Sequence, residues 1–375
     1  MQVFPDKIVI EERNDVIMMC TVTGNPTPGP ITWSKSQGSL PASRNIVKQG
    51  RLTITKVTTD DSGLYMCRAT NVWGPTTASV QLRVYTALKF INKPPSTVIV
   101  KADEMLRLAC SASSDLQPTI SWLFDGIPSL PQGTTVDASQ ELTILSANFS
   151  HGGNYTCNAT NSLNSIHTSV TVFVKYPETC SKVKTEISII SGDYLIDPDG
   201  IQGENPFSVY CSMNDKEGIG VTVVSHDSED RTHVNGFEGA GSYSRHIQYI
   251  GASLSQLKGL TEASKSCEQF IKFECWSALL GKNDHGYWLS RDGEKMTYWG
   301  GATYGNRCAC GMNNSCADPR YFCNCDKNDQ IWREDSGVLT NKSHLPVSQL
   351  RFGDTGNPDE EGYHTRGKLR CYGIN

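Results

Sequence analysis

The distribution of its fourteen cysteines constrains the fold of this 375-residue chain more than any other feature. Four of them form two sets that each frame a tryptophan, Cys20–Trp33–Cys67 and Cys110–Trp122–Cys157. The other ten are Cys180, Cys211, Cys267, Cys275, Cys308, Cys310, Cys316, Cys323, Cys325 and Cys371. Dense, even sets of cysteines are typical of disulfide-bonded proteins in an oxidising compartment. The pattern therefore predicts three separately bonded modules in a secreted, extracellular protein.

Composition excludes several classes of function. The hydrophobic content of 38% is sufficient for packed cores, and the net charge of −5 includes no basic patch of the kind that binds nucleic acid. No apolar run is long enough to predict a membrane span. The N-terminus lacks the features of a signal peptide, so we expect a mature chain, a truncated chain or a fragment.

Residues 3–85 and 88–175 repeat one order of short strands and turns, and each contains a Tyr-x-Cys motif, at Cys67 and Cys157. This order resembles the immunoglobulin superfamily, in particular its I-set and C2-type members. The resemblance implies two β-sandwiches, each with a buried disulfide packed against the tryptophan. In one departure from the repeat, His151 replaces Asp61, which puts a turn-stabilising ion pair of the second module in doubt. The implied disulfides are Cys20–Cys67 and Cys110–Cys157.

Five Asn-x-Ser/Thr sequons predict a glycoprotein. They begin at Asn148, Asn154, Asn158, Asn313 and Asn341. Asn154 and Asn158 flank Tyr155 and Cys157 on one strand, so they should face solvent if the latter two face the core. Glycans there would cover one sheet of the second module, which favours a spacer role for it and leaves the first module freer to bind a partner.

Residues 180–374 differ in composition and are rich in glycine, cysteine and aromatic residues. An opening Gly-Asp-Tyr motif at Gly192 and a Val-Tyr-Cys-x-Met motif at Val209 resemble the start of fibrinogen-related domains. Later motifs, including Cys308-Ala-Cys-Gly and Phe322-Cys-Asn-Cys-Asp, narrow the resemblance to the fibrinogen-like domain of the contactin-associated protein (neurexin IV) family. The resemblance implies an α+β, disulfide-rich interaction domain without enzymatic activity. It also implies a Cys180–Cys211 disulfide.

The pairing of the remaining eight cysteines cannot be deduced from the sequence. A direct Cys308–Cys310 or Cys323–Cys325 bond is disfavoured because so small a ring is strained. A zinc site in this cluster is the competing interpretation, although its spacing is unlike that of structural zinc ribbons. Thiolate ligands would then replace disulfides.

A late acidic turn is a weak candidate for a calcium site, since hard oxygen ligands suit that ion. Its residues are Asp326, Asn328 and Asp329. The alternative is a solvated acidic turn, and no other cofactor is indicated. Trp299 and Tyr304 could form an aromatic ligand wall, or could belong to the core beside a tight turn.

The sequence thus predicts a mostly β, non-enzymatic extracellular glycoprotein that mediates adhesion or matrix interaction, with a protein, matrix or glycan ligand. A component of the organic matrix of a mineralised tissue is one form of this hypothesis. The alternative is a secreted fibrinogen-related lectin of innate immunity, which predicts carbohydrate binding that a chelator abolishes. No hydrolase motif such as Gly-x-Ser-x-Gly occurs in the chain.

Overall fold

The computed structural model describes all 375 residues, which form two compact units, Met1–Val174 and Lys175–Asn375. Strands account for 45% of the residues and helices for 9%. Strand content at this level is about twice the average of globular proteins, and the predicted mostly β class is confirmed.

The first β-sandwich consists of two four-stranded sheets, ordered β1-β3-β6-β5 and β2-β8-β7-β4. Its strands are β1 (Gln2–Phe4), β2 (Lys7–Glu11), β3 (Val16–Thr21), β4 (Thr32–Lys35), β5 (Asn45–Lys48), β6 (Arg51–Ile54), β7 (Gly63–Asn71) and β8 (Gly74–Tyr85). Side chains alternate between the core and solvent along each strand. On β3, for example, Val16, Met18 and Cys20 are buried, whereas Ile17 and Met19 are exposed.

The core of this sandwich contains the Cys20–Cys67 disulfide, and Trp33 and Tyr65 are buried with it. Tyr65 donates its hydroxyl hydrogen to the backbone oxygen of Asp61 at 2.7 Å, which anchors the turn that leads into β7. Such a corner satisfies the hydroxyl of a tyrosine whose ring lies entirely in the core.

The carboxylate of Asp61 is also held from the opposite side. Arg44 donates to both of its oxygens, at 2.8 and 3.0 Å, and the backbone amide of Thr58 donates at 2.8 Å. Burial alone would raise the pKa of Asp61, but the hydrogen bonds from Arg44 and Thr58 outweigh burial and hold this pKa below its usual range. The ion pair therefore stabilises the turn most when the carboxyl is ionised.

The second β-sandwich has a four-stranded sheet, β10-β17-β16-β13, packed with the smaller sheets β11-β15-β14 and β12-β9. Its strands are β9 (Lys89–Asn92), β10 (Thr97–Lys101), β11 (Leu106–Leu108), β12 (Ser111–Ser113), β13 (Thr119–Phe124), β14 (Thr134–Val136), β15 (Leu142–Ile144), β16 (Gly153–Thr160) and β17 (Ser165–Lys175). The structure pairs Cys110 with Cys157 in its core.

His151 stands where the first sandwich has Asp61, and it stabilises the turn without an ion pair. Its Nδ1 accepts a hydrogen bond from the amide of Asn148 at 3.0 Å, so Nε2 carries the hydrogen that bonds to the backbone oxygen of Gln132 at 2.9 Å. Tyr155 still donates its hydroxyl hydrogen to the backbone oxygen of His151. A neutral imidazole thus replaces the Asp61–Arg44 pair as the support of this corner.

Carboxylates hold the connection between the two sandwiches. Glu11 accepts hydrogen bonds from the amide of Leu88 at 3.4 Å and from the side chain of Asn164 at 3.0 Å. Asp115 accepts from the amide of Thr86 at 2.8 Å. These contacts join the last residues before β9 to both sandwiches and favour one arrangement of the pair.

The second unit contains a seven-stranded sheet, ordered β18-β19-β20-β28-β23-β26 with β21 paired to β28, and a four-stranded sheet, β22-β27-β24-β25. Its strands are β18 (Gly192–Ile196), β19 (Phe207–Lys216), β20 (Ile219–Val224), β21 (Thr232–Val234), β22 (Tyr243–His246), β23 (Ser264–Trp276), β24 (Tyr287–Leu289), β25 (Lys295–Met296), β26 (Arg333–Leu339), β27 (Gln349–Phe352) and β28 (Glu361–Ile374). Its helices are α1 (Cys180–Glu186), α2 (Leu254–Ala263) and α3 (Ala309–Met312).

The segment just before α1 is held by tertiary contacts. Tyr176 is buried, and the backbone oxygen of Pro177 accepts a hydrogen bond from the amide of Asp197 at 2.9 Å. Thr179 caps the helix by accepting from the amide of Lys182. These residues are therefore a packed part of the second unit.

All cysteines of the second unit are paired, and the structure contains no free thiol. The members of each Cys-x-Cys motif bond to different partners, as small-ring strain requires. The pairs are Cys180–Cys211, Cys267–Cys371, Cys275–Cys325, Cys308–Cys323 and Cys310–Cys316.

A polar network lies inside this unit, beneath β28. Arg366 is fully buried, donates to the backbone oxygen of Val347 at 3.3 Å and lies 5.7 Å from the ring centroid of Tyr249. His226 accepts from the amide of Ser228 through Nδ1, so its Nε2 donates to the backbone oxygen of Gly367 at 2.9 Å. His226 is thus held as the neutral imidazole.

Candidate functional site

The three candidate calcium ligands, Asp326, Asn328 and Asp329, lie in different surroundings. Asp326 is buried, and its Oδ1 accepts hydrogen bonds from the backbone amides of residues 280–282 at 2.9–3.1 Å. Asn328 is exposed in a left-handed turn conformation. Burial raises the pKa of Asp326, although the three amides oppose that change. The buried carboxyl therefore organises a loop and is not presented to a solvent cation.

Asp329 is likewise saturated by neighbours. Arg333 donates to both of its oxygens, at 2.8 and 2.7 Å, and the ammonium group of Lys327 lies 3.2 Å away. The Arg333 guanidinium holds the pKa of Asp329 at about 2. An ion would have to displace both cations to bind the carboxylate of this weak calcium candidate.

The zinc interpretation fails for a different reason. Zinc needs thiolate sulfurs, and the cysteines of the cluster are consumed in disulfides. Cys308, Cys323 and Asp335 do lie together within 4.8 Å, but the first two form a bond with each other. A disulfide sulfur is a poor metal ligand.

Trp299 and Tyr304 do not form a common wall. Trp299 is buried, and its indole nitrogen donates to the backbone oxygen of Asp335 at 3.0 Å, whereas Tyr304 is 60% exposed. Gly300 explains this placement, because a Cβ on it would lie 2.5 Å from a backbone oxygen of β26. The glycine allows the loop to press Trp299 into the core.

The sequon asparagines lie at the surface in varying degrees. Asn148, Asn154 and Asn313 are exposed, whereas Asn158 and Asn341 are half-buried. Asn154 and Asn158 lie on β16, on the face opposite buried Tyr155 and Cys157. The Oδ1 atom of Asn158 accepts a hydrogen bond from the hydroxyl of Ser165 at 2.8 Å.

A group of exposed and half-buried aromatic and charged side chains lies at one end of the seven-stranded sheet. We call it the aromatic cluster, and it consists of Arg231, His233, Trp276, Trp332 and Tyr363. Strand register fixes two of these positions, because His233 on β21 is opposite Tyr363 on β28, and Tyr363 is in turn opposite Glu274 on β23. Trp276 ends β23, and Trp332 immediately precedes β26.

Strand alternation places this cluster on the outer face of the sheet. Phe273 and Cys275 point into the core from β23, so Glu274 and Trp276 point outward. On β28, Gly362 and His364 are buried and Tyr363 lies between them on the other face. The cluster is therefore a surface feature, and Trp332 is 45% exposed.

The rings of the cluster contact one another in a continuous chain. The ring centroids of Trp276 and Trp332 are 5.7 Å apart, as are those of Trp332 and Tyr363. His233 stacks on Tyr363 at 4.6 Å, and the Arg231 guanidinium lies 3.4 Å from the same ring centroid. Stacking and cation–π contacts of this kind hold the rings in place before any ligand arrives.

Carboxylates surround the rings. Arg231 donates to Glu274 at 2.9 Å, and His233 bonds to Glu361 at 2.7 Å. Burial would raise the pKa of Glu274, but Arg231 and Lys272 outweigh burial and keep this pKa low. Glu274 therefore pairs with both Arg231 and Lys272, and the ammonium group of Lys272 also lies 3.8 Å from Glu334. An acidic rim consists of Glu334, which lies opposite Glu274, of Glu361, which lies opposite Trp276, and of the preceding Asp359 and Glu360.

This arrangement suits binding. Exposed Trp, Tyr and Arg side chains that are already ordered lose little conformational entropy on association, and these residue types dominate the energetics of protein interfaces. Sequence reasoning missed the cluster. The only available signal was the position of Trp276 and Trp332 next to cysteines and charges, which does not show that the two indoles meet.

Comparison with known proteins relates the chain to two groups. The family model described as immunoglobulin domain matches residues 1–71 and 90–161. Contactin-associated protein 1 of Homo sapiens is 40% identical over 203 residues, which are 53% of this chain and 14% of that protein. Neurexin-4 of Drosophila melanogaster is 39% identical over 189 residues, which are 48% of this chain and 15% of that protein.

The chain thus spans about one seventh of the length of these curated relatives. A match over 53% of the chain is longer than the first unit, Met1–Val174, and so extends into the second unit. Among solved structures, the one described as Drosophila OTK, extracellular domains 3-5, gives a TM-score of 0.42 at 23% identity. It covers 46% of this chain and 61% of its own.

The chain therefore contains immunoglobulin domains and is related, over about half its length, to contactin-associated protein 1 and neurexin-4. None of its helices is long and apolar enough to span a lipid bilayer.

Proposed function

We propose that this chain is a non-enzymatic, extracellular adhesion-type glycoprotein that binds a protein partner through the aromatic cluster of its second unit. The observation that carries this proposal is the pre-ordered chain of rings formed by exposed Trp332 with half-buried Trp276 and Tyr363, next to an acidic rim. The immunoglobulin domains and the relationship to contactin-associated protein 1 support an adhesion-type role.

The proposal also includes the boundaries of the three domains. We assign immunoglobulin-like domains to residues 3–85 and 88–175 and a fibrinogen-like domain to residues 180–374. Seven disulfides and the absence of a free thiol support an oxidising compartment, and hence secretion or exposure at a cell surface. Glycans on Asn154 and Asn158 would cover one sheet of the second sandwich and make it a spacer.

The calcium-dependent lectin has less support than adhesion. Its calcium ligands would come from Asp326, Asn328 and Asp329, and both carboxylates are occupied by amides or cations of the protein. A role in the organic matrix of a mineralised tissue has no specific support in the described contacts.

Binding of the full chain to arrays of cell-surface ectodomains and of glycans tests the proposal. Trp332→Ala should abolish most of the binding to a protein partner, because truncation of a central aromatic residue often costs about 2 kcal/mol or more. Trp73→Ala is the matched control, since Trp73 is 84% exposed on a hairpin of the first sandwich, outside the cluster. Equal effects of the two variants, or chelator-sensitive binding to glycans alone, would refute the assignment.

A further inference from the structure

A second surface, on the first sandwich, carries apolar and basic side chains, whereas the rim of the aromatic cluster is acidic. The outer face of the β1-β3-β6-β5 sheet exposes four apolar side chains that a monomer would normally cover or avoid. These are Phe4 at 77%, Ile17 at 47%, Met19 at 40% and Ile46 at 62% exposure. Strand alternation puts them on one side, since their neighbours Val16, Met18 and Cys20 are buried.

Register shows that these side chains form a continuous patch. Met19 lies opposite both Phe4 on β1 and Arg51 on β6, and Arg51 lies opposite Lys48 on β5. In the next row, Ile17 and Ile46 flank a threonine of β6. The patch is thus two residues deep and extends across four strands, with two cations at one side.

No carboxylate interrupts this surface. The segments Gln2–Phe4, Val16–Thr21, Asn45–Lys48 and Arg51–Ile54 contain no Asp or Glu, and residues 3–85 contain no sequon. We call this surface the acid-free face. The same residues 3–85 contain nine basic and six acidic side chains, whereas residues 180–375 contain 20 basic and 26 acidic ones.

We infer that the acid-free face of one copy docks on the aromatic cluster of a second copy of this chain. The inference rests on the proposed function of the cluster as a protein-binding site and names its partner. Phe4, Met19 and Ile46 would cover exposed Trp332 and its neighbours, and Lys48 and Arg51 would meet the acidic rim. Apolar centres with rims of opposite charge are the usual complementarity of protein interfaces.

Charge also decides against the symmetric alternatives. Two acid-free faces placed against each other would bring Lys48 and Arg51 of both copies together, and two aromatic clusters would bring two acidic rims together. The head-to-tail contact avoids both repulsions. A heterologous contact of this kind builds a ring if its rotation closes and an open chain if it does not.

Sedimentation velocity of the full chain, produced with its glycans over a range of concentrations, tests the inference. We expect concentration-dependent association that weakens with added salt, because the rim pairs are exposed. The double variant Lys48→Glu/Arg51→Glu and the double variant Glu334→Lys/Asp359→Lys should each remain monomeric. Trp73→Ala should associate like the unmodified protein, and circular dichroism should show that every variant is folded.

The combination of both double variants on one chain is the decisive measurement. It exchanges the charges of the two surfaces, so association should return even though four residues differ. A monomeric unmodified protein would overturn the inference, and so would a quadruple variant that stays monomeric. Loss of association in only one double variant would point to a symmetric contact and overturn it as well.

The proposed function can fail or survive independently. If Trp332→Ala abolishes binding to another ectodomain while the unmodified protein stays monomeric, the cluster binds a protein and the second copy is the wrong partner. If the protein associates and the Glu334/Asp359 variants have no effect, the acid-free face acts elsewhere and the inference is wrong.

Discussion

Replacement of His226 by glutamine should change the acid stability of the second unit by a predictable amount. Burial, and then the charge of Arg366, lower the pKa of His226 to about 4 in the folded protein. In the unfolded chain this pKa is about 6.5. Between these two pKa values, His226 binds a proton in the unfolded chain but stays neutral in the folded protein. The contribution of His226 to stability is therefore complete above about pH 6.5 and is lost as the pH falls towards 4.

The magnitude follows from the two pKa values. A difference of about 2.5 corresponds to about 3.4 kcal/mol in total, of which about 2.5 kcal/mol is lost by about pH 4.5. Solvent screening does not reduce this estimate appreciably, because His226 is only 4% exposed. Protonation at Nδ1 would also remove the hydrogen bond from the amide of Ser228.

Measurements on the unmodified protein alone cannot isolate the contribution of His226 to the pH dependence of stability. Burial raises the pKa of Asp197 and of Asp335 to about 6, so the folded protein binds these protons first as the pH falls. Both carboxyls therefore add stability in the pH range in which His226 loses it. His364, with a pKa of about 4 caused by burial and then by Arg366, adds to the loss.

The comparison of variants isolates the effect. His226→Gln can keep the donor to the backbone oxygen of Gly367 and should be less stable than the unmodified protein by about 1 kcal/mol at pH 7. At about pH 4.5 the variant should be the more stable protein, since it has no imidazole to protonate. Hydrogen exchange of peptides from β20 and β28 measures the opening free energy within this unit, after correction for intrinsic exchange rates.

His167→Gln, an exposed site in the second sandwich, is the control and should leave these peptides unchanged. A His226→Gln difference that stays the same within about 0.5 kcal/mol from pH 7 to 4.5 would refute the assignment of a neutral, buried imidazole.

Three further perturbations probe the backbone, the disulfides and the ion pair. Gly300→Ala should lower the free energy of unfolding, measured with urea, by more than about 2 kcal/mol, because the new Cβ would overlap β26. The control Gly305→Ala has no atom within 4 Å of its Cβ and should lose only about 1 kcal/mol, because its φ is positive. Equal losses in the two variants would contradict the overlap. Joint replacement of Cys267 and Cys371 by serine opens a loop of 104 residues and should destabilise the second unit by about 4–5 kcal/mol, measured as a fall in its thermal midpoint. Asp61→Asn should destabilise the first sandwich by about 1–3 kcal/mol near pH 7. This loss of stability should shrink as the pH falls below about 4, because only the ionised carboxylate pairs with Arg44. A loss that does not depend on pH would argue against the role of the ion pair.

The sandwiches could be predicted because their signals are local. The Tyr-x-Cys motif places Tyr65 and Cys67 on one side of a strand, and the turn before it contains the Asp61 that receives the tyrosine hydroxyl. Sequence comparison also exposed the His151 substitution. It did not show the replacement, a neutral imidazole that bonds to the backbone at Gln132, since that partner lies 19 residues away.

The calcium hypothesis shows the opposite case. Oxygen ligands at Asp326, Asn328 and Asp329 have a spacing compatible with a metal loop, and spacing is all that the sequence contains. The amides that occupy Asp326 belong to residues 280–282, more than forty positions earlier in the chain. Competition between a distant donor and an ion for one carboxylate depends on tertiary structure, so the motif could not settle it.

The aromatic cluster could not be predicted for a related reason, and one irregularity of β28 decides which residues form it. Cys371 must face the core to bond Cys267, and strict alternation back from it would turn Tyr363 inward as well. Between Gln269 and Ile271 of β23 the partners on β28 change from Leu369 to Arg366, so β28 contains one extra residue there.

That bulge reverses the alternation between the two ends of β28. Leu369 and Cys371 point inward beyond it, while Arg366 and His364 point inward before it. Tyr363 consequently faces solvent, where it meets Trp332 and His233. The same extra residue thus buries the Arg366 guanidinium and assembles the exposed rings. This one bulge in β28 therefore determines both the burial of Arg366 in the core and the position of Tyr363 on the candidate binding surface.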